Sequence, residues 1–394
     1  MHRVTLQAGR EKSLRLKHPW VFSGAIATVD GAPGSGETVA LHAADGQFLA
    51  AAAWSPSSAI RARVWSFDAR DAIDDAFIGG RVRAAVAARK PMLDASHSGC
   101  RLVHAESDGL PGVIADRYGE VVVVQLHNAG AEAWRDSIVA ALVDATGCAA
   151  VYERSDAEVR TLEGLPPRTR MAYGVLPERV SFLEDDLTYG VDVVAGQKTG
   201  FFLDQRDNRR RIRTLAKDRE VLDCFCYTGG FAVAALAGGA RSVLAIDSSA
   251  EALAQARENI AHNGLDATRC AWRDADVFAE LRKLRDSARS FDLIVLDPPK
   301  FAPTARHMEK AARAYKDINL LALKLLRPGG LLATFSCSGG ISAELFQTIV
   351  AGAALDAAAD AAIVGRFSPG ADHPIAFNFP DGDYLKGLLV RKKA

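Results

Sequence analysis

The chain has 394 residues, a length that predicts two or three domains rather than one. Lysine plus arginine and aspartate plus glutamate number 48 each, so the formal net charge is zero. This balance excludes a protein that attracts nucleic acid through a strong overall positive charge. No apolar run approaches the roughly 20 residues that span a bilayer, and residues 1–20 lack the apolar centre of a signal peptide. We therefore expect a cytoplasmic protein without a membrane partner.

The cysteines form neither a metal-binding nor a disulfide pattern. Only Cys224 and Cys226 lie close together, and their C-x-C spacing is not that of a zinc site. A disulfide framework is not expected in a cytosolic chain of this length. The sequence therefore predicts no metal and six reduced thiols, at Cys100, Cys148, Cys224, Cys226, Cys270 and Cys337.

Two different patterns occupy the first half of the chain. Residues 1–70 carry short β signals, and ETVALHA and QFLAAAAW flank Asp45-Gly46, a two-residue hairpin turn. These features favour a small β-barrel. Residues 71–185 mix a helical pattern at about 75–95, ended by Pro91, with strand patterns and a second helical pattern. This mixture predicts a central α+β domain.

Strands alternate with helices in residues 186–394. The strand patterns REVLDCFC, SVLAIDSS, FDLIVLDPPK and LLATFSCS are separated by helical patterns, which predicts α/β architecture with a parallel, doubly wound sheet. Residues 351–362, rich in alanine, read as a helix. Asp381-Gly382 precedes the β-rich stretch DYLKGLLVRK and reads as the turn of a hairpin.

Four strand ends in this sheet carry residues suited to a ligand, which in such sheets binds beyond the carboxyl ends of the strands. DCFCYTGGF (223–231) is a strand–glycine–helix turn, but it lacks the glycine spacing and the lysine of nucleotide-phosphate sites. Asp247 suits a ribose diol and Asp276 an adenine amine, and Asp297 opens the rigid turn DPPK (297–300). Each aspartate alone is more often a helix cap. Together, in this order, they predict an S-adenosylmethionine site.

Positive charge is clustered although the net charge is zero. Residues 206–219 carry seven Lys/Arg against two Asp, and residues 1–20 carry five against one Glu. Such clusters can contact phosphates, although a solvated helix face is the commoner explanation for any one of them. Arg206, Lys17 and Lys300 are our candidate substrate contacts.

Several stretches resemble one known family: DCFCYTGGF, LDPPKF, KDIN, FSCSGG and ADHPIAFNFPDGDYLKGLLV. They are similar to the 23S ribosomal RNA large-subunit cytosine-C5 methyltransferases, and GREKSLRLKHPWVFSGAI, RLVHAESDGLPGVIADRYG and GQKTGFFLDQRDNRR extend the similarity over the whole chain. The resemblance implies a PUA-like RNA-binding domain in residues 1–70, a central domain in 71–185 and a Rossmann-like class I methyltransferase domain in 186–394. It also implies 23S ribosomal RNA as the partner. The oligomeric state stays open, with a homodimer among the alternatives.

The resemblance also implies the residues that contact S-adenosylmethionine. These are Asp223, Tyr227, Thr228, Gly229, Asp247 and Asp276, with Gln205 and Asp297 bordering the site. One position departs from the broader RNA cytosine-C5 methyltransferases, which commonly carry a second cysteine beside the Asp-Pro-Pro turn. Lys300 stands there in this chain, so the product-release role of that cysteine does not carry over.

Cytosine-C5 chemistry gives a meaning to the lone cysteine of FSCSGG (335–340). Carbon C5 of cytosine is a poor nucleophile, and addition of a thiolate to C6 makes it enamine-like. We interpret Cys337 as that thiolate and Asp297 as the acidic group near N3, since they end strands expected to be neighbours. An arbitrary cysteine is more often a small core residue, and we expect that role for Cys224 and Cys226.

Three alternatives stay open. An exocyclic-amine methyltransferase also uses an Asp-Pro-Pro turn, but an aromatic residue usually follows it and no thiol is needed. An RNA uracil-C5 methyltransferase uses the same thiol chemistry, and only the family resemblance separates it. A non-catalytic RNA-binding protein with a methyltransferase shell is disfavoured by the acidic strand ends and by Cys337.

Overall fold

A computed structural model describes residues 1–301 and 308–393 of the protein. The chain forms two compact units, between which it passes more than once. The N-terminal unit comprises Met1–Leu183, Val191–Leu203 and Ala371–Gly382, and the C-terminal unit comprises Glu184–Gly190, Asp204–Gly370 and Asp383–Ala394. Among the described residues, no helix combines the length and the apolarity needed to cross a bilayer.

The N-terminal unit begins with a six-stranded sheet. Its elements are β1 (His2–Leu6), α1 (Lys12–Arg15), β2 (Trp20–Phe22), β3 (Ile26–Val29), β4 (Thr38–His42), β5 (Phe48–Trp54) and β6 (Ile60–Ser66). The strand order is β2-β6-β5-β4-β1-β3. Strands β4 and β5 pair antiparallel, which confirms the hairpin predicted at Asp45-Gly46. Gly46 has φ +87°, a conformation that glycine adopts without a steric penalty.

A second sheet with helices completes the N-terminal unit. Its elements are α2 (Asp75–Arg89), β7 (Gly99–His104), β8 (Val113–Tyr118), β9 (Val121–Leu126), α3 (Ala129–Ala133), α4 (Arg135–Thr146), β10 (Ala150–Ser155), α5 (Val159–Leu162) and β11 (Arg168–Gly174). The strand order is β11-β10-β9-β8-β7. Helix α2 starts where Asp74 accepts a hydrogen bond from the Phe77 amide and ends before Pro91, as the sequence predicts.

A two-stranded hairpin follows, formed by β12 (Val180–Glu184) and β13 (Leu187–Val191). The two residues of its turn, Asp185 and Asp186, have φ of +51° and +65°. Positive φ at both central residues is typical of the tight turn that matches the twist of an antiparallel pair.

The C-terminal unit alternates strands and helices. Its elements are α6 (Arg206–Leu215), β14 (Glu220–Cys224), α7 (Gly230–Ala237), β15 (Ser242–Asp247), α8 (Ala250–His262), β16 (Cys270–Asp274), α9 (Val277–Asp286), β17 (Phe291–Leu296), α10 (Met308–Leu325), β18 (Leu326–Ser336), α11 (Ala343–Asp356), β19 (Ala361–Phe367) and β20 (Lys386–Lys392).

These strands form one seven-stranded sheet, in the order β16-β15-β14-β17-β18-β20-β19. The first five run parallel, and β20 runs antiparallel between β18 and β19. The strand order reverses beside β14, because the chain moves outward to β15 and β16 and then returns to β17 on the other side. A crevice opens at such a switch point, beyond the carboxyl ends of the strands.

The inner strands of this sheet, β14, β15, β17, β18 and β20, are mostly buried on both faces, which is why they read as nearly continuous apolar runs. Side chains of five neighbouring strands belong to one core with helices α9, α10 and α11, and they include Leu222, Ile246, Ile294, Leu332 and Leu388. The α/β fold predicted from the alternating pattern is therefore confirmed.

Two local predictions are wrong. The helix expected over residues 351–362 ends at Asp356, Ala358 has φ +50°, and β19 begins at Ala361. Pairing with β20 outweighs the helix preference of alanine there. The tight hairpin turn expected at Asp381-Gly382 does not form: these residues lie in the short 3-10 turn Pro380–Gly382, and β20 pairs antiparallel with β19 across the longer connection 368–385.

A close contact at the end of α7 gives a stability prediction. A Cβ atom on Gly238 would lie 1.9 Å from the backbone oxygen of Arg213 in α6. We expect Gly238→Ala to lower the free energy of unfolding by about 1–3 kcal/mol, because the backbone must shift to relieve the clash. Gly80→Ala in α2 is the matched control, since nothing lies within 4 Å of its Cβ position. It should stabilise the protein by about 0.4–1 kcal/mol. Urea denaturation of both variants measures the difference, and equal effects would contradict the contact.

Candidate active site

Strand register brings the predicted site residues to one edge of the C-terminal sheet. Asp223 of β14 pairs with Ala245 of β15 on one side and with Val295 of β17 on the other. Leu296 pairs with Thr334 of β18. The residues that follow these strands therefore lie side by side: the turn 225–229, Asp247, Asp297 and Cys337.

The turn after β14 is held in an unusual backbone conformation. Phe225, Tyr227 and Gly229 have φ of +60°, +48° and +76°. A non-glycine residue with positive φ costs about 1–3 kcal/mol and persists only where its surroundings impose it. Here the Cys226 amide donates to the Ile246 oxygen at 3.1 Å, and the Gly229 amide donates to the Cys226 oxygen at 2.8 Å.

Asp247 fixes the same turn from the neighbouring strand. Its Oδ2 accepts a hydrogen bond from the Tyr227 amide at 2.8 Å, and its Oδ1 accepts one from the Ser249 amide at 3.0 Å. A carboxylate oxygen can accept more than one hydrogen bond, so these contacts leave acceptor capacity for a ligand diol.

Asn259 of α8 also holds the turn, through a hydrogen bond to its backbone, and the sequence analysis missed this residue. It is fully buried, its Nδ2 donates to the Thr228 oxygen at 2.9 Å, and its Oδ1 accepts from the Gly190 amide at 2.8 Å. Asn259 lies on the buried, apolar face of α8, together with Ala256 and Ile260. A polar residue on an apolar helix face is the signal that could have identified it.

Asp276 lies at the start of α9 and is exposed. Its Oδ1 accepts a hydrogen bond from the Ala279 amide at 2.8 Å, so it is the N-cap of the helix. Its part in cofactor binding stays a prediction.

Asp223 is fully buried at the centre of this edge. Neither of its carboxylate oxygens has a hydrogen bond of ordinary geometry with another described residue, although the Ala232 amide acts on the carboxyl group. Burial raises its pKa well above the usual range, the charges of Asp297 and Asp247 add to the shift, and the Ala232 amide opposes it. The hydroxyl of Thr228 is a further buried polar group at this turn that finds no partner in the described part of the chain.

Asp297 follows β17 and carries a strongly shifted pKa. Burial and the nearby charge of Asp204 raise the pKa to about 7, against a hydrogen bond from Gln205 and the charge of Arg209. Gln205 is itself buried, and its Oε1 accepts a hydrogen bond from Asn208 at 2.6 Å. Gln205 and Asp297, which the sequence analysis placed at the border of the cofactor site, are therefore in direct contact.

Cys337 follows the last residue of β18 and is partly exposed. Its neighbours Ser336 and Ser338 are buried. Cys224 and Cys226 are buried as well, and burial raises the pKa of both thiols well above the usual range. They therefore stay protonated and pack in the core, whereas Cys337 is accessible.

The three candidate substrate contacts have different surroundings. Lys300 is exposed, three residues after Asp297. Arg206, at the start of α6, is buried. Lys17 is an exposed residue of the N-terminal unit, with its ammonium 4.7 Å from the centre of the Phe67 ring. Within the described ranges, no group of three or more His, Cys, Asp or Glu side chains could hold a metal ion.

The residues at this edge fit S-adenosylmethionine. The cofactor carries a positive sulfonium and an ammonium group, and Asp223, Asp247 and Asp297 place three carboxyl groups near one another. A cation would satisfy the unpartnered oxygens of Asp223 and offset the cost of burying them. This strand order, together with the acidic residues and the preformed turn at this edge, indicates an S-adenosylmethionine-dependent methyltransferase with a doubly wound sheet.

Comparison with known proteins agrees. The S-adenosylmethionine-dependent methyltransferase family model matches residues 170–388, and the PUA-like domain model matches residues 4–67. "Ribosomal RNA large subunit methyltransferase I" of Shewanella denitrificans is 49% identical over 393 residues, which cover 99% of both chains. The chain therefore belongs to the ribosomal RNA large subunit methyltransferase I family of S-adenosylmethionine-dependent enzymes, and S-adenosylmethionine is its cofactor.

Two solved structures have the same fold. A putative SAM-dependent methyltransferase from Streptococcus mutans superposes with a TM-score of 0.86. A putative methyltransferase complexed with SAH superposes with a TM-score of 0.87. Each is 22% identical and covers 99% of this chain and 100% of its own.

The contacts of Asp247 give a prediction for cofactor binding. Asp247→Ala removes a ligand acceptor and releases the Tyr227 amide, so we expect S-adenosylmethionine affinity to fall about tenfold to a hundredfold. Asp274→Ala is the matched control, because Asp274 pairs with Asp247 on β16 and is exposed. Titration calorimetry should show nearly unchanged affinity in that control. Equal affinities in both variants would remove Asp247 from the site.

Proposed function

We propose that this enzyme methylates C5 of a cytosine in 23S ribosomal RNA, with Cys337 as a covalent nucleophile. Identity of 49% over 99% of the chain to proteins named for large-subunit ribosomal RNA methylation supports the substrate class. The observation that carries the reaction type is the position of Cys337 and Asp297 beyond the paired ends of two adjacent parallel strands. A cytoplasmic location goes with this substrate.

The proposed reaction begins with addition of the Cys337 sulfur to C6 of the base. The new C–S bond shifts an electron pair toward C5, and a proton donated at N3 by Asp297 neutralises the ring. When bound, S-adenosylmethionine would supply an electrophilic methyl group to C5 and leave as S-adenosylhomocysteine. Transfer of the C5 proton to solvent water then breaks the C6–S bond, expels the Cys337 thiolate and restores the double bond between C5 and C6. N3 returns its proton to Asp297, so that the net change in the base is one C5 proton exchanged for one methyl group.

The pKa of Asp297 supports its role as the acid. A carboxyl group with a pKa of about 7 carries its proton in half of the molecules at neutral pH, whereas an ordinary aspartate is ionised. A general acid works best when its pKa lies near the working pH.

The proposed cofactor contacts follow from the same edge. The turn at Tyr227, Thr228 and Gly229 brings backbone close to the ligand, and the carboxylates of Asp223, Asp247 and Asp276 accept its hydrogen bonds. For RNA, we assign phosphate contacts to Lys300 and Lys17. The burial of Arg206 makes it a support for the start of α6 in this scheme.

Replacement of Cys337 tests the nucleophile. Cys337→Ala should reduce methylation to background, because no other exposed thiol can replace it. RNA with 5-fluorocytosine at the target should trap a covalent adduct on the wild-type enzyme, since fluorine at C5 cannot leave as a proton does. Denaturing electrophoresis should show this adduct for the wild type and not for Cys337→Ala.

Cys224→Ala and Cys226→Ala serve as matched controls. Both residues are buried, so these variants should lose some stability but still form the adduct. An adduct that persists in Cys337→Ala would assign the nucleophile to another residue. Mapping of ribosomal RNA from cells lacking the enzyme identifies the nucleotide, and a lost methyl group on uracil or on an exocyclic amine would refute the cytosine-C5 assignment.

The pKa of Asp297 predicts a specific pH profile. The acid form of Asp297 is lost as pH rises through about 7, while the thiolate form of Cys337 increases with pH. The wild-type single-turnover rate should therefore rise up to pH 7 and then level off. Asparagine cannot donate a proton as an acid, so the rate of Asp297→Asn should be about a hundredfold lower at pH 6. Because this variant has no carboxyl group that titrates at position 297, its rate should keep rising above pH 7. Profiles of the same shape for both enzymes would exclude Asp297 as the acid.

A further inference from the structure

The residue after Cys337 is anchored from two sides. Ser338 is fully buried, and its hydroxyl lies 3.0 Å from the hydroxyl of Tyr315 on α10. The Ser338 backbone oxygen accepts a hydrogen bond from the Lys386 ammonium at 2.9 Å. The same ammonium donates to the Ile341 oxygen at 2.6 Å, so it spans the turn that begins at Cys337.

The residue before Cys337 is anchored as well. Ser336 is the last residue of β18, is buried, and pairs with Lys386, the first residue of β20. Its hydroxyl accepts from the Ser338 amide at 3.4 Å and also hydrogen-bonds with Tyr315. Both neighbours of Cys337 are therefore fixed inside the protein by polar contacts, while Cys337 itself is partly exposed.

Three charged groups of the described residues act on Lys386. Its ammonium interacts with Asp383, Cys337 and Lys300. Burial lowers the pKa of Lys386, and the charges of Asp383 and Cys337 oppose that shift while Lys300 adds to it. The charge of Cys337 also raises the pKa of the Tyr315 hydroxyl. Tyr315 is neutral or an anion, so it brings no positive charge to the cysteine. Lys386 is thus a cation that two backbone oxygens hold beside Cys337.

We propose that Lys386 is a positioning residue that presents Cys337 to the substrate and stabilises its thiolate. Together with Tyr315 it fixes the Ser336–Ser338 backbone, and its ammonium places a positive charge near the sulfur. This inference rests on the proposed function in taking Cys337 as the reacting thiol. It adds Lys386 to the residues of that function. It also explains why Cys337 lies between two serines, because the buried serines hold the backbone on either side of it.

Alkylation of Cys337 tests the proposal without RNA or cofactor. All six cysteines lie in the described ranges, and Cys337 is the one that is not buried, so iodoacetamide should react with it first in the native protein. The alkylation rate is measured against pH by intact mass, with Cys337→Ala as the blank. Lys386→Met should lower the rate at pH 7 about threefold to tenfold and move the midpoint of the pH profile upward. Lys386→Arg keeps the charge and should keep most of the wild-type rate.

Lys392 provides a matched control on the same strand. It is also partly buried, and its ammonium donates to the backbone oxygens of Leu323 at 3.0 Å and Leu326 at 2.8 Å. Lys392 is the last residue of β20, whereas Lys386 is the first and pairs with Ser336 beside Cys337. Lys392→Met therefore removes an equivalent anchor at the opposite end of the strand and should leave the alkylation profile unchanged. Calorimetric binding of S-adenosylmethionine shows that each variant is folded.

The outcomes separate this inference from the proposed function. If Lys386→Met and Lys392→Met share the wild-type profile, the role of Lys386 is overturned, even when the wild-type enzyme still forms the 5-fluorocytosine adduct. If the adduct fails to form on wild-type enzyme, the proposed function fails, and the alkylation profile still decides whether Lys386 controls the thiol. A methylation defect in Lys386→Met that appears in kcat, with an unchanged KM for RNA, supports positioning over RNA binding.

Discussion

The turn 225–229, Asp247, Asp297 and Cys337 lie at one edge of the C-terminal sheet, here called the active edge. Their arrangement depends on the register between β14, β15, β17 and β18. A strand cannot slip by one residue without turning its buried side chains to the opposite face, so apolar packing fixes the register of each pair. The polar residues begin where the apolar runs stop. Asp247, Asp297 and Cys337 therefore receive their positions from Ile246, Leu296 and Phe335, which are buried and cannot shift.

A second constraint is the free-energy cost of burying charged carboxyl groups at this edge. The charge of Asp297 disfavours the charged form of Asp223, the charge of Asp204 disfavours that of Asp297, and both groups are desolvated. Within the protein they gain limited compensation, from the Ala232 amide, Gln205 and Arg209. A site of this kind is stabilised by a cationic ligand, because the ligand supplies the charge that the protein withholds. The same physics keeps Asp297 partly protonated before substrate binds.

The turn after β14 shows how strain is distributed. Its two non-glycine residues with positive φ, Phe225 and Tyr227, would relax if the turn were free. Asp247 and Asn259 hold it from two directions through backbone hydrogen bonds. The turn is thus preformed, and part of its stability comes from the side chains of Asp247 and Asn259.

Local patterns were enough to predict much of the fold. Alternating strands and helices predicted the doubly wound sheet, and the residues after each strand predicted which side chains would share an edge. Both rest on short-range periodicity, which the sequence displays directly. The contacts that escaped prediction are long-range. Asn259 was missed because its partners Gly190 and Thr228 are distant in the chain, and the end of the helix near Ala358 depends on pairing with β20.

Lys386 illustrates why the remaining part of the site needed the structure. A parallel strand beside β18 would bring its own carboxyl end to the active edge, whereas the antiparallel β20 brings its first residue. Lys386 can reach the Ser338 oxygen for that reason, although 48 residues separate them. Ser336 ends β18 and Ser338 lies two residues beyond it, and both are buried, whereas Cys337 between them is partly exposed. The contacts of the two serines with Tyr315 and Lys386 fix the backbone on either side of Cys337, and they depend on the antiparallel direction of β20.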